Sequence, residues 1–349
     1  MTPPSRPKIA RERPAAPVVI GLSAVVIAMR EAEAAALTVR PRDGRTQAIS
    51  LLPGLPSGPF DPAGHRTFEL ALRAFVTEQT GFQLGYVEQL YTYGDEGRDA
   101  PLADFGGPHG RDESRIVSVG YLALTPEAPE TAAPDTDWSP WNRFFPYEDW
   151  RVGRPPVIDE KIAPALRRWA AAAGRGEAGE LRIARARALF ALDGARWNEE
   201  RVLERYELLY EAGLAPEAER DRRRAAGLDA PEPTAAPGLG EPMISDHRRI
   251  LATGLGRLRG KIKYRPVVFE LAPEVFTLST LQRIVEAVSG IALHKQNFRR
   301  MVERTGLVER LGRFDEETGG RPAELFRFRR EALAASPASG LSLPMLREG

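Results

Sequence analysis

The stretch TLSTLQRIVEAVSG, residues 277–290, decides the fold of the C-terminal part of the chain. Its apolar residues recur every three or four positions, which is the spacing of one buried face of an α-helix. Thr277 or Ser279 is suited to cap the N-terminus, because a side-chain hydroxyl can accept a free backbone N–H there. Gly290 ends the helix. The predicted core face comprises Leu278, Leu281, Ile284, Val285 and Val288.

A second helix follows after a short turn and covers about Lys295–Thr305. Phe298, Met301 and Val302 share its inward face, and Gly306 ends it. The opposite face is polar and mostly basic. It carries Lys295, Gln296, Asn297, Arg299, Arg300 and Arg304.

Two strand-like segments come next, Leu307–Arg313 and Ala323–Arg329, and the polar turn Asp315–Gly320 connects them. Apolar and polar residues alternate in the second segment, as in a β-hairpin. A helix, a turn, a helix and a hairpin in this order predict a winged helix-turn-helix over about Phe269–Phe328.

The outward face of the second helix is suited to double-stranded DNA. In the major groove, Arg and Lys pair with guanine edges, whereas Asn and Gln pair with adenine. The hairpin adds Arg313, Arg321 and Arg327 for phosphates or the minor groove, and Arg321 joins the predicted DNA contacts. The alternative is a winged helix that binds only protein, but the density of arginine favours DNA. The acidic turn, residues 315–317, then has to face away from phosphate.

The composition restricts the protein class but does not identify a partner. The 349 residues suggest two or three domains, and 42% apolar content is enough for packed cores. The 49 basic and 48 acidic residues nearly balance, and no apolar run is long enough to span a membrane. The absence of cysteine excludes disulfides and thiolate nucleophiles. It also agrees with a reducing cytoplasm, where we expect this protein.

The N-terminal segment admits two interpretations. Residues 1–17 are rich in proline and arginine, and the apolar run Val18–Met29 follows, as in a secretory signal. However, Arg30, Glu31 and Glu33 occupy the region where a cleavage site requires small, uncharged residues. The β-branched content of the run is typical of a core strand. We therefore predict a disordered tail that leads into a buried strand.

Strand-like runs alternate with one helix in the first part of the chain. The helix covers about Arg66–Thr80, and Gly81 ends it. Residues 126–140 are dominated by Pro, Ala, Thr, Asp and Glu, which predicts a surface loop or linker. Residues 158–222 contain several apolar stripes at helical spacing. The strand-like runs are Val18–Met29, Leu37–Arg40, Ile49–Leu52, Val87–Tyr93 and Ile116–Leu124.

Six aromatic residues lie between Trp138 and Trp150. They favour an extension that packs against the first domain. A base-stacking platform is the alternative, but it requires interleaved basic residues, and the run offers only Arg143 and Arg151.

The segment Asp246–Arg265 holds seven basic residues and one acidic residue. Its apolar residues follow helical spacing, which predicts a basic amphipathic helix. The expected fold class is therefore α+β: a mixed α/β sandwich domain, a helical insertion and a C-terminal winged helix-turn-helix. The predicted boundaries are 1–17 for the tail, 18–157 for the mixed domain, 158–227 for the helical region, 228–244 for a linker, 245–330 for the basic helix and winged helix, and 331–349 for a flexible tail.

The mixed domain resembles a Nudix domain at residues 55–58 (LPSG) and 66–82. The Nudix box reads G-x5-E-x7-R-E-U-x-E-E-x-G-U, where U is aliphatic. Anchored on Gly81 and Phe82, the box places Val76 at its internal aliphatic position. The hydrophobic frame is therefore kept.

The metal-binding carboxylates of the box are mostly lost. Glu78 occupies the second glutamate position, whereas Phe75 replaces the first glutamate and Gln79 the third. Mg²⁺ needs several hard oxygen ligands, and pyrophosphate hydrolysis needs that metal. We therefore expect no catalytic residues, no metal and no hydrolysis, but a pocket able to hold a nucleotide. The residues selected for that ligand site are Glu78, Glu88, Tyr91 and Asp95.

The combination with segments 86–95 and 117–124, the basic helix and the winged helix looks similar to the Nudix-related transcriptional regulators of NAD metabolism. The resemblance covers about 18–124 and 245–330, and leaves the helical residues 158–222 without a role. It implies a homodimeric repressor of NAD-related genes that senses ADP-ribose or a related NAD metabolite, with no cofactor and no membrane partner.

Two alternatives remain from the sequence. One is an ADP-ribose or nucleotide-sugar pyrophosphatase with atypical metal ligands, which hydrolysis of ADP-ribose would reveal. The other is an interaction scaffold, which would not shift DNA in a salt-dependent manner.

Overall fold

A mixed β-sheet forms the N-terminal part of the protein, and β1 runs through its centre. β1 is parallel to β5 and antiparallel to β2 and β3, and the sheet order is β4-β5-β1-β2-β6. The strands are β1 (Val18–Arg30), β2 (Glu33–Val39), β3 (Ser57–Pro59), β4 (Tyr86–Tyr93), β5 (Arg115–Thr125) and β6 (Thr136–Pro140). The computed structural model describes residues 18–41, 50–95, 115–130, 133–174, 176–315 and 322–331.

The predicted strands agree with the sheet except in three places, of which one is the short strand β3, which was not predicted. Residues 50–52 form no strand, so the strand predicted over Ile49–Leu52 is wrong for them, and Ile49 itself lies outside the described residues. The loop predicted over 126–140 contains β6, which pairs antiparallel with β2 at the edge of the sheet. An edge strand needs hydrogen bonds on one side only and tolerates polar residues and a terminal proline, so its composition resembles that of a loop.

One face of the sheet is covered by α1 (Phe68–Thr80). Thr67 caps its N-terminus with a side-chain oxygen that accepts the N–H of Leu70, 3.2 Å away. Gly81 ends it in the left-handed conformation, as predicted. Leu72 and Val76 are fully buried against this face of the sheet.

The other face is covered by α6 (His247–Tyr264), the predicted amphipathic helix. Ile250 and Leu251 share a core with Val25 and Ile27 of β1. The helix approaches the sheet closely at Gly254, where a Cβ would lie 2.8 Å from a methyl group of Val25. The sheet is therefore the middle layer of a sandwich.

The region between sheet and winged helix is helical, as predicted. The apolar stripes of the sequence did not mark α5 (Pro216–Ala225), because seven of its ten residues are charged. Glu217, Arg220 and Asp221 of α5 are nevertheless buried, because ion pairs and hydrogen bonds satisfy them. The helices are α2 (Ala163–Ala171), preceded by a π-helical turn (Ile158–Ile162), α3 (Glu177–Phe190), α4 (Val202–Glu211) and α5 (Pro216–Ala225).

No helix in the described ranges is both long and apolar enough to cross a membrane.

The predicted linker covers residues 228–244, and its second half packs against the rest of the protein. Met243 is fully buried, and its backbone N–H donates to the Glu217 carboxylate (3.2 Å). The predicted tails cover residues 1–17 and 331–349. All of these residues except Glu331 lie outside the described residues.

The C-terminal domain is a winged helix-turn-helix, as predicted. Thr277 is the N-cap of its first helix, and Gly290 and Gly306 end the two helices in the left-handed conformation. The strand β7 (Val275–Thr277) was not predicted, because it is only three residues long and its last residue is the N-cap itself. The sheet order is β7-β9-β8. The elements are β7 (Val275–Thr277), α7 (Leu278–Ser289), α8 (Lys295–Thr305), β8 (Val308–Asp315) and β9 (Ala323–Phe328).

Candidate nucleic-acid interface and ligand site

The helix α8 is amphipathic in the way the sequence predicts. Phe298 and Val302 are buried on its inner face, and Met301 is partly buried beside them. All six predicted DNA-contacting residues of this helix are exposed. They are Lys295, Gln296, Asn297, Arg299, Arg300 and Arg304.

Two side chains of α7 hold the turn that leads into α8. The Glu286 carboxylate accepts the backbone N–H of Leu293 at 2.7 Å, and the Gln282 amide donates to the Leu293 carbonyl at 2.8 Å. Gln282 and Glu286 also bond to each other at 3.0 Å. Because His294 at the start of α8 provides no side-chain cap, this clamp fixes the entry into the helix.

The basic side chains of α8 form no ion pair with any residue in the described part of the chain. The hairpin differs, because Arg310 pairs with Glu303 and Glu324, and Arg327 pairs with Glu309. Arg313 is exposed on β8. The predicted contact Arg321, together with residues 316 and 317 of the acidic turn, lies outside the described residues. The cations available to a phosphate or a base are therefore concentrated on α8.

The excess of basic residues in α6 does not produce a basic surface. Arg249 pairs with Asp95, Glu207 and Asp246, and Lys263 pairs with two glutamates of the helical region. Apart from Asp246, the carboxylates that neutralise α6 come from distant parts of the sequence, so the local excess of basic residues did not indicate how much of this charge is paired.

Several arginines of the protein are fully buried. Arg205 of α4 and Arg259 of α6 both bind the Glu148 carboxylate, and all three side chains are completely inaccessible. Arg248 pairs with Glu217 in the same manner, 3.2 Å apart. These residues were not predicted from the sequence, although each arginine lies on the apolar stripe of its helix, which was the available signal.

The four residues predicted to bind a ligand do not come together. Glu78 is exposed on α1, on one side of the sheet, whereas Glu88 and Asp95 face α6 on the other. The structure therefore separates Glu78 from Glu88 and Asp95, because the sheet itself lies between α1 and α6. Tyr91 is exposed and contacts the ring of Tyr93.

Glu88 is occupied by a contact within the protein. Its carboxylate pairs with Lys261 and accepts the hydroxyl of Tyr86. Burial disfavours the charge on Lys261, but hydrogen bonds to Glu88 and Tyr86 outweigh it and hold the pKa of the ammonium group above its ordinary value.

Phe75 and Gln79, which the sequence alignment places at glutamate positions of the Nudix box, have structural roles. The ring of Phe75 lies directly against Gly58, where a Cβ would come within 2.9 Å of it, and contacts His65 edge-on. The side-chain amide of Gln79 both accepts from the backbone N–H of Ser57 (3.1 Å) and donates to its carbonyl (2.6 Å). Across the described ranges, no three His, Asp or Glu side chains cluster closely enough to hold a metal ion.

Comparison with known proteins identifies the C-terminal domain. Residues 268–328 match the NrtR DNA-binding winged helix domain. The match supports the prediction of a Nudix-related regulator. Its limits also agree with the observed domain, because Phe269 and Phe328 lie near the two ends of the match and their rings stack 4.1 Å apart and nearly parallel.

A curated relative matches part of the chain. It is the ADPR responsive transcriptional repressor NtrR of Acinetobacter baylyi, 39% identical over 83 residues. The match covers 24% of this chain and 33% of the relative, so the chain matches a third of the length of that repressor.

Solved structures of an NrtR protein from Shewanella oneidensis are also similar. NrtR in complex with a 27mer DNA is 20% identical and covers 94% of this chain and 99% of that one, with a TM-score of 0.49. The NUDIX domain of the same protein in complex with ADP ribose is 23% identical and covers 38% of this chain and 79% of that one, with a TM-score of 0.29.

Proposed function

We propose that this protein is a DNA-binding transcriptional repressor of NAD-related genes, and that its mixed domain senses ADP-ribose or a related NAD metabolite without hydrolysing it. The observation that carries the proposal is α8, a helix of an NrtR-type winged helix domain whose row of exposed cations pairs with no carboxylate of the described residues. The partly matching repressor from Acinetobacter baylyi, which is ADPR responsive by name, supports the choice of effector.

The proposal includes a cytoplasmic homodimer that needs no cofactor. Two copies of α8 related by twofold symmetry would lie about one helical turn of DNA apart and would read a roughly palindromic operator. ADP-ribose would control binding only if its affinity differs between the DNA-bound and free arrangements.

Substitution on α8 tests the DNA-binding part. Arg299→Ala and Arg300→Ala should each weaken binding to DNA from upstream of the protein's own gene by about tenfold, because a good base contact contributes about 1–3 kcal/mol. Their thermal stability should stay close to wild type, since both side chains are exposed. The control is Arg168→Ala, which removes an exposed arginine from α2.

Titration in a gel-shift or anisotropy assay measures these affinities. Equal binding by all three variants, or no salt-dependent binding by the wild type, would contradict the proposal and favour a scaffold.

The sensing part is tested with ADP-ribose itself. Calorimetry should detect ADP-ribose binding, and incubation with Mg²⁺ or Mn²⁺ should not convert ADP-ribose to AMP and ribose 5-phosphate. Phe75 offers no ligand atom, and both ends of the Gln79 amide are engaged by Ser57. Clear turnover that disappears in Glu78→Gln would overturn this part in favour of a pyrophosphatase.

A further inference from the structure

The last turn of α7 is held by groups from outside the winged helix. The C-terminal carbonyls of a helix have no partner within it and need other donors. The Trp141 indole N–H donates to the Ala287 carbonyl at 2.7 Å, and the Arg259 Nε donates to Val288 at 2.9 Å. These donors belong to the segment after β6 and to α6. The end of α7 is therefore fixed to the rest of the protein by directional bonds.

The same attachment continues into the turn before α8. The backbone N–H of Trp150 donates to the Gly290 carbonyl at 2.6 Å, and Trp150 forms a β-bridge with Ile291. Gly290 has a φ of 71°, and a Cβ on it would overlap the carbonyl oxygen of Glu148. The chain can approach this closely only at glycine.

Glu148 connects these bonds to the helical region. Its carboxylate binds Arg205 of α4 at 2.5 and 2.8 Å and Arg259 of α6 at 2.7 Å. Arg259 also donates to the carbonyl of Glu199 at 3.0 Å, and the guanidinium of Arg205 lies 3.7 Å from the ring centre of Trp197. A buried carboxylate is held in one position when both of its oxygens are bonded in this way.

We infer that Arg259, held by Glu148, is a positioning residue for the DNA-reading helix, and that the helical region 158–227 serves as the brace that keeps Glu148 and Arg259 in place. The inference rests on the proposed function for its effect on DNA. It assigns a role to the helical region, which supplies Arg205 and the carbonyl of Glu199 to this network.

The substitution Arg259→Met separates positioning from folding. It removes the bond to Val288 but leaves Glu148 in a neutral, bidentate pair with Arg205. Removing one partner of a buried ion pair is strongly destabilising when it leaves the other charge unpaired, and Arg259→Met leaves no unpaired charge because Glu148 keeps Arg205. Arg257→Met is the matched control, because Arg257 is exposed two residues earlier on the same helix.

Two measurements on the full-length protein decide the inference. Arg259→Met should bind the upstream DNA about tenfold more weakly, with the wild-type dependence on salt, because no phosphate contact is lost. Hydrogen exchange at the amides of residues 291–305 should be about tenfold faster, while the amides of β1 and β5 keep their protection. Arg257→Met should match the wild type in both.

Each other outcome is decisive as well. Wild-type affinity together with wild-type exchange in Arg259→Met would overturn the inference, and so would a uniform loss of protection across the sheet. If Arg259→Met does not fold, Trp141→Phe, which removes the bond to Ala287, is judged by the same two measurements. If the wild-type protein binds no DNA, the proposed function fails, whereas the exchange comparison still tests the positioning role.

Discussion

The buried histidine at the start of α6 should make the protein sensitive to mild acid. His247 is 2% exposed, and its Nδ1 accepts the backbone N–H of Leu55 at 2.9 Å. Burial, assisted by the positive charge of Arg220, lowers the pKa of His247 from 6.5 to about 4. The ring is therefore neutral in the folded protein at neutral pH, and protonation at Nδ1 would remove the acceptor of Leu55.

The size of the effect follows from the difference between the folded and unfolded pKa of His247. Above pH 6.5 neither state binds the proton, so the stability contributed by the neutral ring is complete. As the pH falls from 6.5 towards 4, the unfolded chain binds a proton that the folded protein excludes, and stability decreases by about 1.4 kcal/mol per pH unit. The loss is about 2 kcal/mol at pH 5 and reaches about 3 kcal/mol below pH 4.

The substitution His247→Asn isolates this effect. The Asn Oδ1 can accept the Leu55 N–H but does not titrate. We expect the variant to gain about 2 kcal/mol relative to wild type between pH 7.5 and pH 5, measured as the free energy of unfolding in urea. The carboxylates titrate in both proteins, so their contributions cancel in the difference between the two free energies of unfolding. A stability difference between the two proteins that does not change with pH would refute the reasoning.

Two further predictions concern the ends of α7. Thr277→Ala removes the N-cap bond to the N–H of Thr280 and should cost about 1 kcal/mol in urea unfolding, whereas Thr277→Ser should keep most of it; equal losses would contradict a capping role. Gly290→Ala should destabilise the folded protein by more than the cost of a left-handed backbone for a residue with a Cβ, which is about 1–2 kcal/mol. The reason is that the new Cβ would also overlap the carbonyl oxygen of Glu148. A melting temperature within one degree of wild type would show that the turn can relax there.

The winged helix was predictable because its signals are local. Thr277 and Gly290 mark the ends of α7, Gly306 marks the end of α8, and the apolar spacing between them defines which face is buried. Each of these signals depends on residues within one or two turns of helix. The exposed face of α8 could be predicted for the same reason, since it is the complement of Phe298 and Val302.

The rest of the molecule depends on pairings that no local pattern encodes. The edge strand β6 forms only because it pairs with β2. The paired residues are 97 or more positions apart in the sequence, as between Val39 and Thr136. The helix α5 is buried although it is polar, because Arg248 and the backbone around Met243 satisfy Glu217. The proposed ligand residues were separated by the sheet, and their distance in sequence gave no indication of which face each would occupy.

The arginines of this protein occupy two kinds of environment, and this explains how a chain that is nearly neutral overall still exposes a row of cations on α8. On α6, Arg248, Arg249 and Arg259 are each matched by carboxylates from other segments, so a strongly basic stretch of sequence becomes internal structure. On α8, Arg299 and Arg300 meet no acidic partner in the described part of the chain. Local charge in the sequence is therefore a poor guide to surface charge, because a basic helix binds phosphate only where the fold leaves it without carboxylates. The buried arginines also contribute to the position of the exposed arginines of α8, because Arg259 donates a hydrogen bond to the carbonyl of Val288, seven residues before α8 begins.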